Sequence, residues 1–204
     1  LAALLLMMIW LISKEFEAGG EPQAPEIAIS IDALAQKYVG TAVDVLINNA
    51  GVSVPRSANG EHRLKQTFGT LDYTAWDNIF QVNIKGLLKV SEAFVENVSA
   101  SADKTIVVLS STMGSIQEGA LPVFLYGSSK AAGNWIISML AKELKERGII
   151  TVSLCPGHVK TAMGGPIAPI EVDDSVAGMR KIIAGLTLDD TGSFKRFNGE
   201  TVAW

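Results

Sequence analysis

The segment "YGSSKAAGNWIISMLAKELKERGIITVSLCPG" (126–157) joins a helix to a strand and decides the fold class. Helical spacing over 127–147 ends at Gly148, a residue suited to the left-handed position that closes a helix. The apolar, β-branched run 149–155 then predicts a buried strand, which a Pro-Gly pair stops. A helix followed directly by a buried strand is typical of an α/β protein.

The helix over 127–147 is predicted to have one apolar face and one charged face. We expect the apolar face to carry Trp135, Ile136, Met139, Leu140 and Leu144, and the charged face to carry Lys142, Glu143, Lys145, Glu146 and Arg147.

The flanking sequence repeats the alternation of strands and helices. We expect a short helix after Ser30 as its N-cap, a strand over 43–47, a long helix over about 72–99 and a strand in "TIVVLSS" (105–111). The tail "GSFKRFNGETVAW" (192–204) has a strand-like run and an Asn-Gly turn. This order implies right-handed βαβ units and a parallel sheet, in which ligands bind at the carboxyl ends of strands.

Composition narrows the class of protein. The 204 residues are 48% hydrophobic, enough for one full-sized core. A net charge of −4 without a basic run argues against nucleic-acid binding. Cys155 is the single cysteine, so no internal disulfide forms, which fits a reducing, cytoplasmic setting. Two histidines and this cysteine, widely spaced, make no metal-ligand pattern, and we expect no metal site.

The first residues, "LAALLLMMIWLI" (1–12), are all apolar. Crossing a bilayer takes about 20 such residues, so the run is too short to span a membrane. It also lacks the charged start and the cleavage site of a signal peptide. We expect an atypical segment buried against the domain, with a membrane or targeting role as the alternative. A polar connector follows, which predicts a division into 1–26 and a catalytic domain over 27–204.

Polar residues follow the ends of two predicted strands. "NNAG" (48–51) is either an ordinary turn or backbone packed closely against a flat ligand. Asn83 lies on the apolar stripe of the long helix, where a buried amide needs partners. It either satisfies the core or holds a water on a proton path. Ser111, at the end of its strand, is weak evidence alone.

Tyr126 and Lys130 give the sharper signal. Residues four apart on a helix share a face, with roughly 5–6 Å between their Cβ atoms. A tyrosine has a pKa of about 10, and a nearby ammonium group is expected to lower it. With a hydroxyl donor such as Ser111 beside it, the phenol becomes a general acid suited to carbonyl and alcohol interconversion. A chance Tyr–Lys pair is the competing interpretation.

Taken in order, these motifs resemble the short-chain dehydrogenase/reductase family over about residues 40–204. The set comprises NNAG, the helix asparagine, Ser-Ser-x-x-Gly, Tyr-x-x-x-Lys and Pro-Gly-x-Val-x-Thr. The resemblance implies a Rossmann-like, doubly wound parallel sheet and an NAD(P)-dependent oxidoreductase. It also implies a catalytic tetrad, in which Tyr126 is the acid/base, Ser111 orients the carbonyl, Lys130 lowers the tyrosine pKa and holds the nicotinamide ribose, and Asn83 anchors a relay water.

The same resemblance implies a set of cofactor-binding residues, which are Asn48, Asn49, Ala50, Gly51, Tyr126, Lys130, Pro156, Gly157, Val159 and Thr161. His158 occupies a variable position that the family does not use in catalysis. The stretch "VKTAMGG" and the tail are most similar to the C-factor and sniffer-type carbonyl reductase subgroup, which favours NADPH over NADH. The next stretch, with Met163 and "GGPIAPIE" (164–171), corresponds to a substrate lid, and the loops around 52–70 and 162–190 are expected to choose the substrate.

One family motif is missing from the sequence. Neither Gly-x-x-x-Gly-x-Gly nor Gly-x-Gly-x-x-Gly occurs among the 19 glycines. Such a turn normally holds the cofactor pyrophosphate at a helix N-terminus. We therefore expect the first βαβ portion to be truncated or replaced, and either cofactor to bind poorly.

The resulting expectation is an oxidoreductase acting on a small-molecule ketone, aldehyde or secondary alcohol, with no membrane partner. The alternative is a non-catalytic relic or fragment that serves as a binding or oligomerisation module. The family resemblance implies a homo-oligomer through the helices at about 72–99 and 127–147. A serine hydrolase is excluded because no Gly-x-Ser-x-Gly elbow occurs.

Overall fold

The computed structural model describes residues 24–53 and 67–204, in which helices alternate with the strands of one sheet. The elements are α1 (Ala24–Lys37), β1 (Val45–Asn48), α2 (Tyr73–Phe80), α3 (Leu87–Ser99), β2 (Thr105–Leu109), α4 (Phe124–Leu144), β3 (Ile150–Cys155), α5 (Val172–Ala184) and β4 (Phe194–Arg196).

The four strands pair in the order β1-β2-β3-β4, and every pair is parallel. Successive residues of β2 point to opposite faces, so Ile106 joins a core with α1 and α3 while Val107 joins one with α5. Both faces of the sheet are thus covered by helices. The predicted α/β, Rossmann-like, doubly wound parallel sheet is confirmed.

The predicted long helix over about 72–99 is present but is not uniform. Asp72 caps its start, since its Oδ1 accepts the N–H groups of Thr74 and Ala75, each at 3.1 Å. Between α2 and α3 the chain makes a π-helical turn, Gln81–Gly86. Such turns are wider than α-helix and are frequent at functional sites. Asn83 lies in this turn and is buried.

Two details of the helices differ from the prediction. Ser30 is not an N-cap, because α1 begins at Ala24 and contains Ser30. Pro25 fits that start, since the first turn of a helix has no intrahelical use for the missing N–H. Trp135 does not face the sheet and is 64% exposed. The stripe of α4 that packs inward is formed by smaller residues around Asn134 and Ile137.

The ends of α4 and β4 follow the sequence closely. Gly148 closes α4 at φ 72°, as predicted. After β4, an Asn-Gly turn places Gly199 at φ 92°, and the N–H of Arg196 donates to the carbonyl of Glu200 at 2.8 Å. Returning alongside β4, the chain donates from the N–H of Val202 to the carbonyl of Phe194 at 2.8 Å.

The apolar segment 1–12 and most of the predicted connector 13–26 lie outside the described residues. The division at residue 26 stays a prediction, although Ala24 and the two residues after it are helical. Within the described ranges, no helix has the length and apolar character needed to cross a bilayer.

Candidate active site

The loop after β2 carries Ser110 and Ser111 to the carboxyl edge of the sheet. Ser110 turns towards α4, where its Oγ donates to Asn134 Oδ1 at 2.6 Å. Ser111 hydrogen bonds with the side chain of Tyr126, in the first turn of the same helix. Its Oγ also accepts the N–H of Met113 at 3.2 Å. Of the two serines, the one chosen from the sequence is the one beside the phenol.

Two glycines let this loop approach α4 closely. A Cβ on Gly114 would lie 2.7 Å from the backbone carbon of Lys130, and one on Gly127 would lie 3.0 Å from the carbonyl oxygen of Met113. A side chain at Gly114 would therefore force the loop and the helix apart. The glycines set the separation between Ser111 and the first two turns of α4.

Tyr126 and Lys130 face the same cleft, as their spacing predicts. The Lys130 Nζ lies 5.6 Å from the centroid of the Tyr126 ring, within the range of a cation–π interaction. The same nitrogen donates to the carbonyl of Leu109 at 2.8 Å. Lys130 is only 9% exposed, so its ammonium group is held by the end of β2 and the aromatic ring.

The electrostatics differ from the expectation based on spacing. Loss of surrounding water raises the pKa of Tyr126 to about 12, the hydrogen bond from Ser111 opposes this, and Cys155 adds a further increase. Burial lowers the pKa of Lys130 to about 8. The predicted lowering of the tyrosine pKa is therefore wrong for this structure, because desolvation of the phenolate outweighs its hydrogen bond.

Asn83 is brought to the back of this site by the π turn. Its Oδ1 accepts the N–H of Val52 at 2.8 Å. Its Nδ2 donates to the carbonyl of Val52 and to Ser129 Oγ, each at 2.9 Å. Ser129 Oγ in turn donates to the carbonyl of Tyr126 at 2.7 Å. The amide therefore connects the chain after β1 with the first turn of α4.

The residues of the NNAG motif divide between two environments. Asn48 is buried and donates to Ser91 Oγ of α3 at 3.2 Å. Asn49 and Gly51 line the cleft. A Cβ on Gly51 would lie 3.3 Å from Lys130 Nζ, so the glycine leaves space beside the amine. Ala50 is not among the lining residues.

The turn after β3 forms the opposite side of the cleft. Gly157 has φ 83°, a backbone conformation that favours glycine. A Cβ added at this residue would lie only 2.4 Å from Ile170 Cδ1, so a larger side chain does not fit. His158 Nε2 hydrogen bonds with the carbonyl of Gly164 at 2.8 Å. Thr161 Oγ1 accepts the N–H of Gly164 at 3.0 Å. These contacts shape the segment 157–170, which we call the lid.

One cleft of about 850 Å³ brings most of the predicted residues together. Its walls include nine of them, which are Asn49, Gly51, Ser111, Tyr126, Lys130, Pro156, Gly157, Val159 and Thr161. Asn48, Ala50 and Asn83 stand behind the wall or outside it. Ser111, Tyr126 and Lys130 therefore share one cleft with the turn at Pro156 and Gly157, which the enzymatic interpretation requires.

Sequence reasoning missed several residues of the cleft. Cys155 lies on its floor at the end of β3, and Met113, Leu121 and Val123 form a wall in front of α4. For Cys155 a signal exists, since the last residue of a buried parallel strand lies at the edge where ligands bind. Met113 lies in a short 3-10 turn, Leu121 and Val123 lie in the irregular loop before α4, and no sequence pattern marks them.

The nicotinamide end of a dinucleotide fits these residues. Lys130 uses one N–H for Leu109, and an ammonium group has three, so it can also donate into the cleft. Gly51 leaves the room that a ribose beside this amine needs. Within the described ranges, no three His, Cys, Asp or Glu side chains are placed to share a metal ion.

The sequence also matches a family model. The model described as short chain dehydrogenase aligns with residues 23–171. Among curated proteins, the C-signal of Myxococcus xanthus is 36% identical over 175 residues, which covers 84% of this chain and 99% of that protein.

Solved structures give the same picture. An NADPH-bound carbonyl reductase from chicken fatty liver superimposes with a TM-score of 0.74 at 28% identity, covering 89% of this chain and 74% of that one. The carbonyl reductase Sniffer of D. melanogaster superimposes with a TM-score of 0.77 at 26% identity, covering 91% and 77%.

Proposed function

Since this chain belongs to the short-chain dehydrogenase family and is an oxidoreductase, we propose that it interconverts a carbonyl compound and an alcohol at Tyr126 with an NAD(P) cofactor. The observation that carries the proposal is the placement of Ser111, Tyr126 and Lys130 in one cleft, opposite the Pro156 turn. When bound, a reduced nicotinamide supplies the hydride.

In the reducing direction, the substrate oxygen lies between two hydroxyl groups. Ser111 Oγ donates a hydrogen bond to it, and the Tyr126 hydroxyl transfers its proton as the oxygen gains charge. The pKa of about 12 keeps Tyr126 protonated at neutral pH, so the group is ready to act as an acid. For alcohol oxidation it has to lose that proton first, which this pKa opposes.

Lys130 supports the tyrosine by its charge and by its position. Its pKa of about 8 leaves it mostly protonated at pH 7, and an ammonium group near a phenol stabilises the phenolate that remains after proton transfer. We assign it to the ribose hydroxyls of the cofactor as well. The cleft positions of Asn49, Gly51, Gly157 and Thr161 support their assignment to the same cofactor.

Asn83 remains in the proposed tetrad, but its side chain has fewer free hydrogen-bonding positions for a relay water. Both N–H groups of its amide are used, one by the carbonyl of Val52 and one by Ser129. A relay water at this side chain would therefore have to donate to Oδ1. The amide also holds Val52 and Gly51 against α4, which keeps the cofactor side of the cleft in place.

The cofactor choice rests on relatives rather than on a visible selectivity residue. The chicken carbonyl reductase is described with NADPH bound, which favours NADPH for this chain too. Because the glycine-rich phosphate motif is absent from the sequence, we propose that affinity for either dinucleotide is low. Saturation at micromolar NADPH in a fluorescence titration would contradict the low affinity.

The substrate side of the cleft favours neutral, apolar carbonyl compounds. Met113, Leu121 and Val123 line one side of it, and Met163 of the lid lines another. The described lining residues include no Asp, Glu or Arg. Among the described lining residues, a substrate carboxylate or phosphate would thus find no arginine partner.

We also propose a homo-oligomer through the long helices, on the exposed aromatic residues that they carry. Trp135 of α4 is 64% exposed and Tyr73 of α2 is 68% exposed, so both helices present aromatic surface to solvent. Sedimentation of the purified chain tests this, and a monomer at micromolar concentration would refute it.

The deciding experiment for the function is Tyr126→Phe in a reductase assay with neutral ketones and aldehydes, each tested with NADPH and NADH. We expect reduction to fall by about a thousandfold, within the range that a general acid contributes. The matched control, Tyr73→Phe, changes an exposed tyrosine and leaves the rate unchanged. Equal rates for Tyr126→Phe and the parent would refute the mechanism. If the parent reduces no carbonyl, the non-catalytic alternative replaces it.

A further inference from the structure

The loop 115–123 joins the short turn containing Gly114 to the start of α4. Two of its residues, Leu121 and Val123, line the substrate side of the cleft. The carbonyl of Val123 accepts the N–H of Gly127 at 2.7 Å, which ties the loop to the helical turn that carries Tyr126. A shift of this loop would therefore move both the apolar wall and the approach to the phenol.

Glu118 connects this loop to a distant part of the chain. Its Oε1 accepts the N–H of Ala203 at 2.7 Å, and its Oε2 accepts from Arg196 Nη2. Arg196 Nε also lies 3.5 Å from a carboxylate oxygen of Glu200. Both oxygens of one carboxylate are thus bound by the segment 194–204.

The segment that holds Glu118 is itself well anchored. Phe194 and Val202 are 1% and 2% exposed, and they pack with Cys155 on the cleft floor. The Trp204 ring lies 5.4 Å from the Phe194 ring. Through Glu118, the loop is tied to a buried cluster that also supports the other end of the cleft.

The contacts of Glu118 with Arg196 and Ala203 contribute little to the free energy of unfolding of the protein. The side chains of Glu118 and Arg196 are 31% and 32% exposed, and ion pairs of such exposure contribute little to the free energy of unfolding. Both oxygens of the Glu118 carboxylate nevertheless hold the loop 115–123 in place. We therefore expect these contacts to affect the position of the loop relative to the cleft more than the stability of the fold.

We propose that Glu118 is a positioning residue, which clamps the loop 115–123 to the segment 194–204 and thereby sets the shape of the substrate side of the cleft. The inference rests on the proposed function, since the cleft shape matters to substrates only if carbonyl compounds bind beside Tyr126. It assigns the substrate fit of this enzyme partly to residues that touch no substrate.

The test compares Glu118→Ala, Glu118→Gln and Arg196→Met with Glu96→Gln, which removes an exposed ion pair to Arg147 far from the cleft. With a bulky apolar ketone, we expect Glu118→Ala to raise KM about fivefold while kcat changes less than about twofold. Glu118→Gln, which keeps an acceptor for Ala203, should fall between Glu118→Ala and the parent. The melting temperature should change equally little in all four variants. A KM within error of the parent for Glu118→Ala would overturn the proposal.

A second readout does not depend on turnover. In Glu118→Ala, hydrogen exchange at the amides of the loop 115–123 and of Ala203 should be faster than in the parent and in Glu96→Gln. Unchanged exchange there would overturn the clamp even if activity changed. If the parent reduces no carbonyl, the proposed function fails, and the exchange experiment alone decides whether Glu118 holds the loop.

Discussion

The two walls of the cleft are built differently. The wall formed by α4 and the loop after β2 places its reactive groups in buried contacts, with Lys130 9% exposed and Gly114 packed on its backbone. The lid, 157–170, carries exposed apolar side chains, with Met163 46% and Ile167 83% exposed. One wall is tied to the core, while the other stands largely in solvent.

The contacts within the lid are mostly local. Val159 pairs with Ile170, Lys160 pairs with Glu171, and His158 bonds with Gly164. A firmer attachment comes from Ser175 Oγ, which donates to the carbonyl of Pro156 at 2.7 Å. Under the proposed function, proton transfer would take place on the wall that is tied to the core, and the substrate would be enclosed by the more exposed segment.

The most severe test of the rigid wall is Lys130→Met. Removing the amine should lower carbonyl reduction by about 100-fold or more, since the phenolate loses its cation. The same change should raise the free energy of unfolding at pH 7, because burial lowers the pKa of Lys130 from its ordinary value of 10.5 to about 8 and so opposes folding of the charged form. Lys142→Met, an exposed lysine on α4, is the control and should change neither quantity. A destabilised Lys130→Met variant would contradict the cost assigned to burying this charge.

The pH dependence of the parent follows from the same two groups. The unfolded chain holds the Lys130 proton up to about pH 10.5 and the folded chain only up to about 8, so this residue opposes folding fully below pH 8 and progressively less up to 10.5. Reduction needs the ammonium group and the neutral phenol, so kcat/KM should fall as pH rises through about 8, while oxidation should rise towards the Tyr126 pKa of about 12. Steady-state kinetics in both directions from pH 6 to 10 measure this. A reduction rate that is level across that range would contradict the role of Lys130.

The packing of the rigid wall is tested by Gly114→Ala. The added Cβ would lie 2.7 Å from two carbon atoms of Lys130, so loop and helix must separate. We expect a loss of about 1–3 kcal/mol in stability and about a tenfold or greater fall in kcat/KM. Gly133→Ala, on α4 with nothing within 4 Å of its new Cβ, should instead stabilise by about 0.5–1 kcal/mol. Urea unfolding and reductase assays distinguish the two, and full activity in Gly114→Ala would show that the separation is not critical.

The smallest effect is expected in the lid. His158→Ala removes the hydrogen bond to the Gly164 carbonyl and should raise KM about two- to fivefold with little change in kcat. Asn198→Ala, in the turn after β4, is the control and should match the parent. A fall of kcat by two orders of magnitude would mean that His158 takes part in the chemistry, which would remove the contrast between the walls.

Much of this arrangement could be predicted from local pattern. Strand β3 and the αL position of Gly148 follow from β-branched residues and a glycine at the right places. The spacing of Tyr126 and Lys130 was enough to place both side chains on one cleft, because helix geometry alone fixes which residues share a face. The roles of the tetrad residues stay predictions for the experiments above.

Properties that depend on the distances between helices, strands and loops could not be predicted from local sequence pattern. Trp135 is exposed because the stripe of α4 that packs inward passes through its neighbours Asn134 and Ile137 instead. The direction of the Tyr126 pKa depends on how much water the folded cleft excludes, and sequence spacing contains no measure of that. The loop 115–123 likewise gains its importance from Arg196 and Ala203, about eighty positions further along the chain.

The π-helical turn between α2 and α3 also keeps the apolar residues of both helices on the buried side. Ile79 and Leu87 are both buried although they are eight residues apart, a separation that would rotate them by about 80° in a regular α-helix. The wider turn takes up one surplus residue and returns Leu87 to the inward direction. A regular α-helix with one residue fewer would also keep the apolar residues of α2 and α3 on one side. The extra residue therefore disturbs a single turn only. In that turn, the side-chain amide of Asn83 reaches the backbone of Val52.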